Sequence, residues 1–200
     1  MAKAELIRRA LATQGQLIMP GVYDALSAKI AARAGFEVTF ITGYSLSATL
    51  LGEPDFGLLT QTEVVGAAQR ICSVIDIPVI VDADTGYGNA INVTRTVQDL
   101  IRAGAGGMFL EDQVWPKRCG HMRGKQVIPL EEQLNKLRAA VEAKGQNDFF
   151  IVARTASWPS SAPAVGSKRT VASISAPPLR TRTFTRTRTP SLSKKPNGNR

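Results

Sequence analysis

Histidine and cysteine are scarce: the 200 residues hold one His and two Cys. Two thiols, Cys72 and Cys119, are too few for a disulfide framework and fit a reducing compartment. Cys119 with His121 makes a poor zinc site, because such sites need four ligands or three plus water. No apolar run of about 18 residues is present, so no membrane-spanning helix is expected. The N-terminus, MAKAELIRRALATQG, lacks the apolar core of a secretory signal and reads as an amphipathic first helix ended near Gly15. A basic N-terminal helix also suits a mitochondrial transit peptide, but Glu5 and the absence of Ser oppose that, so the cytoplasm is expected.

Acidic residues are absent from residues 156–200, where nine of the 25 basic residues lie. The formal charge of +9 therefore belongs to that stretch, and residues 1–155 are neutral, with 16 basic and 16 acidic residues. Basicity so placed gives no reason to read the preceding residues as nucleic-acid-binding. Residues 156–200 also hold six of the eleven prolines and alternate Arg with Thr. Such a segment buries too little apolar surface to offset ordering entropy and is expected to stay disordered. The organisation expected is one domain over 1–155 and a basic tail over 156–200.

What is present before residue 155 is an alternation of strand and helix signals. Apolar runs at 17–19, 38–41, 79–81, 107–110 and 149–153 read as buried strands. Helices are predicted at 24–34, at 60–75 with Thr60 and Glu63 as a capping box, from Asn92 or Thr94 to Gly104, and at 129–143. Residues 45–59 read as a long polar, Gly-containing connection. Strands separated by helices imply a parallel sheet with right-handed crossovers. Thr42, Asp82, Asp84, Glu111, Asp112 and Arg154 fall at C-terminal strand ends, where barrel sites form. The first strand is followed by Pro20-Gly21-Val22-Tyr23-Asp24, which is no dinucleotide fingerprint.

Two clusters carry chemistry. Asp82 and Asp84 stand two apart at a strand end and face the same side. Carboxylates so placed repel unless a cation lies between them, and a hard ion such as Mg²⁺ suits oxygen ligands. Glu111 ends the next strand and is a third carboxylate candidate. The second cluster is Lys117-Arg118-Cys119-Gly120-His121, where cationic groups surround one thiol. Such neighbours favour thiolate or hold a substrate carboxylate. Gly120 and Gly124 provide hinges.

Together these motifs resemble the isocitrate lyase and phosphoenolpyruvate mutase superfamily. The flanking text agrees: PGVYDALSA, Thr42-Gly43-Tyr44, LGEPDFGLLT, DADTGYGNA, LEDQVWPKRCGH and IVART. The resemblance runs from Ile18 to Thr155 and implies an α/β fold of the (β/α)8 TIM-barrel type, incomplete at about five units. By the resemblance, Asp84 binds Mg²⁺ directly, with Mn²⁺ as an alternative ion, and Asp82, Asp55 and Glu111 hold its waters. Thr42, Gly43 and Tyr44 line the oxo-acid pocket, with Thr where Ser is common, and Arg154 clamps a substrate carboxylate. Lys117, Arg118, Cys119 and His121 form a catalytic gating loop in which Cys119 is the general acid.

The implied reaction is cleavage of a 2-hydroxy di- or tricarboxylate, of the 2-methylisocitrate type, to pyruvate or glyoxylate and a second carboxylate. Oxaloacetate hydrolysis and phosphonopyruvate or phosphoenolpyruvate mutase chemistry are the alternatives; Cys119 favours carbon–carbon cleavage. The implied partners are a small carboxylate substrate and further copies of the chain in a homo-oligomer, a tetramer. Where the family continues with Asp-Ala, this chain has Ala156-Ser157-Trp158, which reads as a shift of reading frame. An incomplete barrel leaves open edges, so an inactive fragment with an anion-binding basic tail is a third expectation.

Overall fold

The computed structural model describes residues 2–120 and 122–156, and the backbone of 171–174. The expected disorder of the tail and the position of His121 lie outside the described residues, apart from those four. In chain order the elements are α1 (Lys3–Gln14), β1 (Gly21–Val22), α2 (Ala25–Arg33), β2 (Thr39–Ile41), α3 (Gly43–Leu50), α4 (Gln61–Cys72), β3 (Val79–Asp82), α5 (Ala90–Arg102), β4 (Gly107–Glu111), α6 (Leu130–Lys144), β5 (Phe150–Arg154) and β6 (Val171–Ile174).

Strands β1 to β5 lie in sequential order and pair in parallel. Their alternation sends Val79, Val81, Met108, Leu110 and Ile151 to one face, where they pack with α2, α4, α5 and α6. Each such fully buried aliphatic contributes about 2 kcal/mol of transfer free energy. The opposite face carries Phe40, Ile80, Phe109, Phe150 and Val152, covered by Ala4, Ile7 and Leu11 of α1. Sequential order with these four helices on one face is an arc of a (β/α) barrel; a doubly wound sheet would reverse its order and carry crossovers on both faces. The inner aromatics Phe40 and Phe109 meet edge to face, centroids 6.2 Å apart.

Capping fixes where the helices begin. Asp24 and Thr60 form capping boxes with Ser27 and Glu63, as the Thr60–Glu63 spacing predicts. The helix expected from Asn92 or Thr94 starts earlier, because the Asn89 side chain accepts from the Ile91 and Asn92 amides.

Three other expectations change. Leu17–Met19 is not a strand: the hydrogen-bonded register begins at Gly21, paired with Phe40. Leu17 and Met19 instead pack onto the inner cluster, and Ile18 points to solvent. Part of the polar connection 45–59 is helical, since α3 buries Leu46 and Ser47. Val171–Ile174, in the stretch expected to lack structure, pairs antiparallel with β5. Four residues there, two of them β-branched, satisfy the edge groups of β5.

Candidate active site

The C-terminal ends of β2 to β5 open into a cavity of about 520 Å³. Its polar end is lined by Thr42, Asp55, Asp82, Lys117, Cys119 and Arg154, with Tyr44 at the rim. Its depth is apolar and ends on the inner aromatics and α1.

Strand alternation decides which side chains reach it. On β3, Ile80 and Asp82 face inward; on β5, Val152 and Arg154 do the same. Glu111 and Arg154 are register partners across β4 and β5. The Arg154 guanidinium lies 3.1 Å from Glu111 Oε2 and 3.5 Å from Asp82 Oδ2. Asp84 follows two residues after Asp82 with φ of 47°, a left-handed conformation that costs an L-residue about 1–2 kcal/mol. Asp55 arrives from the α3–α4 loop, which Ser47 holds by donating to the Glu53 and Pro54 carbonyls.

The cation between two of these carboxylates is Lys117. Its Nζ is 2.5 Å from Asp55 Oδ1 and 2.7 Å from Asp84 Oδ1, and its side chain is only 3% exposed. Gly43 lies against this group: a β-carbon there would stand 3.5 Å from Lys117 Nζ and 3.6 Å from Asp84 Oδ1, in ordinary contact.

Acids and bases of the cluster move the same way. Burial and the Asp82 carboxylate push the Asp84 carboxyl up, against the pull of Lys117. Burial likewise raises Glu111, against the pull of Arg154. Lys117 and Arg154, despite burial, are held above their ordinary values by the surrounding carboxylates. The acids rise chiefly because burial disfavours their charged form, whereas the raised cations mark a negative surrounding potential. Four carboxylates face two cations, leaving two negative charges formally uncompensated.

That residual charge and an all-oxygen donor set suit a hard divalent ion. Among the described residues no three carboxyl, thiol or imidazole groups converge as a ready-made chelate. Mg²⁺ is often held by one or two carboxylates plus waters, so the donor set fits such an ion, and Asp55, Asp82, Asp84 and Glu111 are the residues that could hold it.

The Lys-Arg-Cys-Gly-His loop divides. Lys117 and Cys119 are buried and line the cavity, whereas Arg118 is exposed and donates to the Arg123 carbonyl. The expected gathering of Lys117, Arg118 and Cys119 is therefore corrected: an extended loop turns alternate side chains opposite ways. Gln113 binds this loop to the site. Its amide nitrogen donates to Glu111 Oε1 at 2.7 Å and to the Arg118 carbonyl, and its oxygen accepts from the Arg118 amide. Gln113 was not anticipated, although its place two residues beyond Glu111 was a usable signal. Asp112, flagged only as a strand-end acid, accepts from Thr155 Oγ1 and the Ala156 amide on the neighbouring strand end.

Comparison with known proteins gives the family of the chain. The family model described as phosphoenolpyruvate phosphomutase matches residues 7–172. A chloroplastic carboxyvinyl-carboxyphosphonate phosphorylmutase from Arabidopsis thaliana is 61% identical over 148 residues, 74% of this chain and 44% of that protein. A 2,3-dimethylmalate lyase from Eubacterium barkeri is 48% identical over 155 residues, 78% of this chain and 54% of that protein. The crystal structure of a 2,3-dimethylmalate lyase aligns with TM-score 0.72 at 40% identity, covering 78% of this chain and 53% of that one. That of a phosphonopyruvate hydrolase with oxalate and Mg²⁺ aligns at 0.69 and 34%, covering 78% and 53%. The chain spans about half the length of the curated relatives it matches.

Proposed function

Since the chain belongs to the phosphoenolpyruvate mutase and isocitrate lyase superfamily, we propose that its cavity is the site of a Mg²⁺-dependent carbon–carbon lyase. The substrate class is a 2-hydroxy di- or tricarboxylate of the 2-methylisocitrate type, cleaved to pyruvate or glyoxylate and a second carboxylate. The observation that carries this reading is the placing of the Cys119 thiol in one cavity with Arg154 and the acid cluster.

Asp84 would hold the ion directly, and Asp55, Asp82 and Glu111 through its waters; Mn²⁺ is an alternative. When bound, the ion supplies a Lewis acid for the oxo and carboxylate oxygens of the oxo-acid fragment. Lys117 keeps Asp55 and Asp84 together. A guanidinium has five N–H donors, so Arg154 keeps capacity for a substrate carboxylate beyond its contacts with Asp82 and Glu111. Thr42, Gly43 and Tyr44, at the start of α3, border the oxo-acid end. Cys119 delivers a proton to the carbanion carbon of the leaving fragment. His121 and Arg118 belong to the loop that carries Cys119, with Arg118 bracing it from outside.

A second reading, phosphoryl transfer on an oxo acid, is favoured by the name of the 61% identical relative. One experiment separates them. The purified chain is incubated with Mg²⁺ and, in turn, 2-methylisocitrate, 2,3-dimethylmalate, oxaloacetate and phosphonopyruvate, and the loss of each substrate and the release of oxo acid, oxalate and phosphate are measured. Oxo acid from a hydroxy-carboxylate, reduced about a hundredfold or more in Cys119→Ser, supports the lyase. Turnover of the phosphonate alone supports the second reading, and no turnover of any of them removes both for this chain.

A further inference from the structure

The segment Ala83–Gly86 is held by its carbonyls. The Ala83 carbonyl accepts from the Gly86 amide at 2.8 Å, and that of Asp84 from the Glu111 amide at 2.8 Å. The Gly86 carbonyl accepts from Thr96 Oγ1 on α5 at 3.3 Å. The remaining one, Thr85, accepts at 3.3 Å from Lys136 Nζ on α6.

Lys136 is an unexpected residue at its position. The buried positions of α6 are Gln133, Lys136 and Ala140, spaced as the core-facing stripe of a helix. Such a stripe is normally apolar. Lys136 is 5% exposed and, among the described residues, makes no ion pair. The carboxylate nearest it in effect is Glu132, one turn back on the exposed side of α6. Burying an ammonium without a paired carboxylate is costly, and an aliphatic residue would avoid that cost. The Thr85 carbonyl is the partner that accounts for its place. Beside it, Gln133 is 7% exposed, and neither polar atom of its amide has a partner among the described residues.

We propose that Lys136 is a positioning residue for Asp84: by holding the Thr85 carbonyl from behind the sheet, it keeps the neighbouring residue in its left-handed conformation with the carboxylate turned into the site. The inference that this sets ion affinity rests on the divalent-ion reading given above. The holding of the loop does not. Second-layer partners of this kind orient ligands without touching the ion, and their loss lowers metal affinity by about tenfold or more.

The test compares the full 200-residue chain with Lys136→Met, Lys136→Gln and Gln133→Leu. The first readout is amide hydrogen exchange at Gly86 and Glu111, without added ion. Lys136→Met is expected to speed both about tenfold, as loss of a charge-assisted bond implies. Lys136→Gln, shorter and uncharged but still a donor, recovers part of the protection. Gln133→Leu, equally buried on the same stripe, leaves it unchanged. The second readout is Mn²⁺ binding followed by electron paramagnetic resonance. The dissociation constant should rise about tenfold in Lys136→Met, with a spectrum altered by changed ligand symmetry. Should Lys136→Met fail to fold, Lys136→Gln carries the same comparison. Unchanged exchange in a folded Lys136 variant overturns the proposal. Faster exchange with no Mn²⁺ binding by the wild-type chain sinks the divalent-ion reading and leaves the positioning role standing. Faster exchange with Mn²⁺ affinity equal to wild type overturns the link to the ion.

Discussion

Lys117 Nζ stands 2.7 Å from Asp84 Oδ1, and both side chains are almost wholly excluded from solvent. The first comes from the loop after β4 and the second from the turn after β3, so the pair exists only when the two strands lie side by side. The same ammonium also binds Asp55, from a third loop. One lysine thus joins three separate segments at the mouth of the arc.

Lys117→Met should therefore be among the most damaging single changes. It strands two buried carboxylates, a loss of about 3–5 kcal/mol. Urea unfolding of the variant and the wild type measures it. Mg²⁺ should restore more stability to the variant than it adds to wild type, because an ion can replace the lost ammonium. Identical unfolding of variant and wild type in the absence of the ion would contradict the role assigned to Lys117.

Cys72 gives a pH dependence with a definite sign. Burial pushes its thiol up to about 11. Unfolded, a thiol titrates near 8.5, so folding favours the protonated form. The contribution is intact below the unfolded value and is lost as pH rises toward the folded one. Stability should fall through that alkaline window in wild type and less so in Cys72→Ala, compared at each pH by urea midpoint. Parallel pH profiles for the two chains would refute it.

Asn89→Ala removes the cap that sets the start of α5. Its side-chain oxygen accepts from the Ile91 amide at 2.9 Å and the Asn92 amide at 3.4 Å. The expected cost is about 1 kcal/mol. Asn89→Asp, which keeps the acceptor, should cost less. If Asn89→Ala unfolds at the wild-type midpoint, α5 is capped by some other means.

Gly107→Ala tests the β4–β5 pairing. A β-carbon there would lie 2.4 Å from the Phe150 carbonyl oxygen, which is backbone and cannot swing away. The strands would have to separate, at about 1–3 kcal/mol or more. A thermal melt of the variant superimposing on wild type would show that the close approach is not real.

Much was legible in the chain because it is written locally. Apolar runs gave β2 to β5, Thr60 with Glu63 gave the start of α4, and acids at strand ends gave Asp82, Asp84 and Glu111. These signals depend on neighbours a few residues apart. Helix α3 escaped because its packing, with Ser47 turned to the Glu53 and Pro54 carbonyls, is a matter of tertiary context. The start of β1 was misplaced because apolar Leu17 and Met19 serve the inner cluster without being paired, while Gly21 is paired without being apolar.

The sequence by itself determined a parallel β/α chain with carboxylates at its strand ends, and a thiol loop after the fourth strand. Periodicity and residue chemistry suffice for that. Only the tertiary structure decided that Lys117 bridges Asp55 and Asp84. It also decided that Arg118 turns away from the cavity and that a lysine on α6 reaches the Thr85 carbonyl. Those facts join residues up to 62 positions apart, as Asp55 and Lys117 are. Their contact depends on strand register and helix packing, which no local pattern encodes.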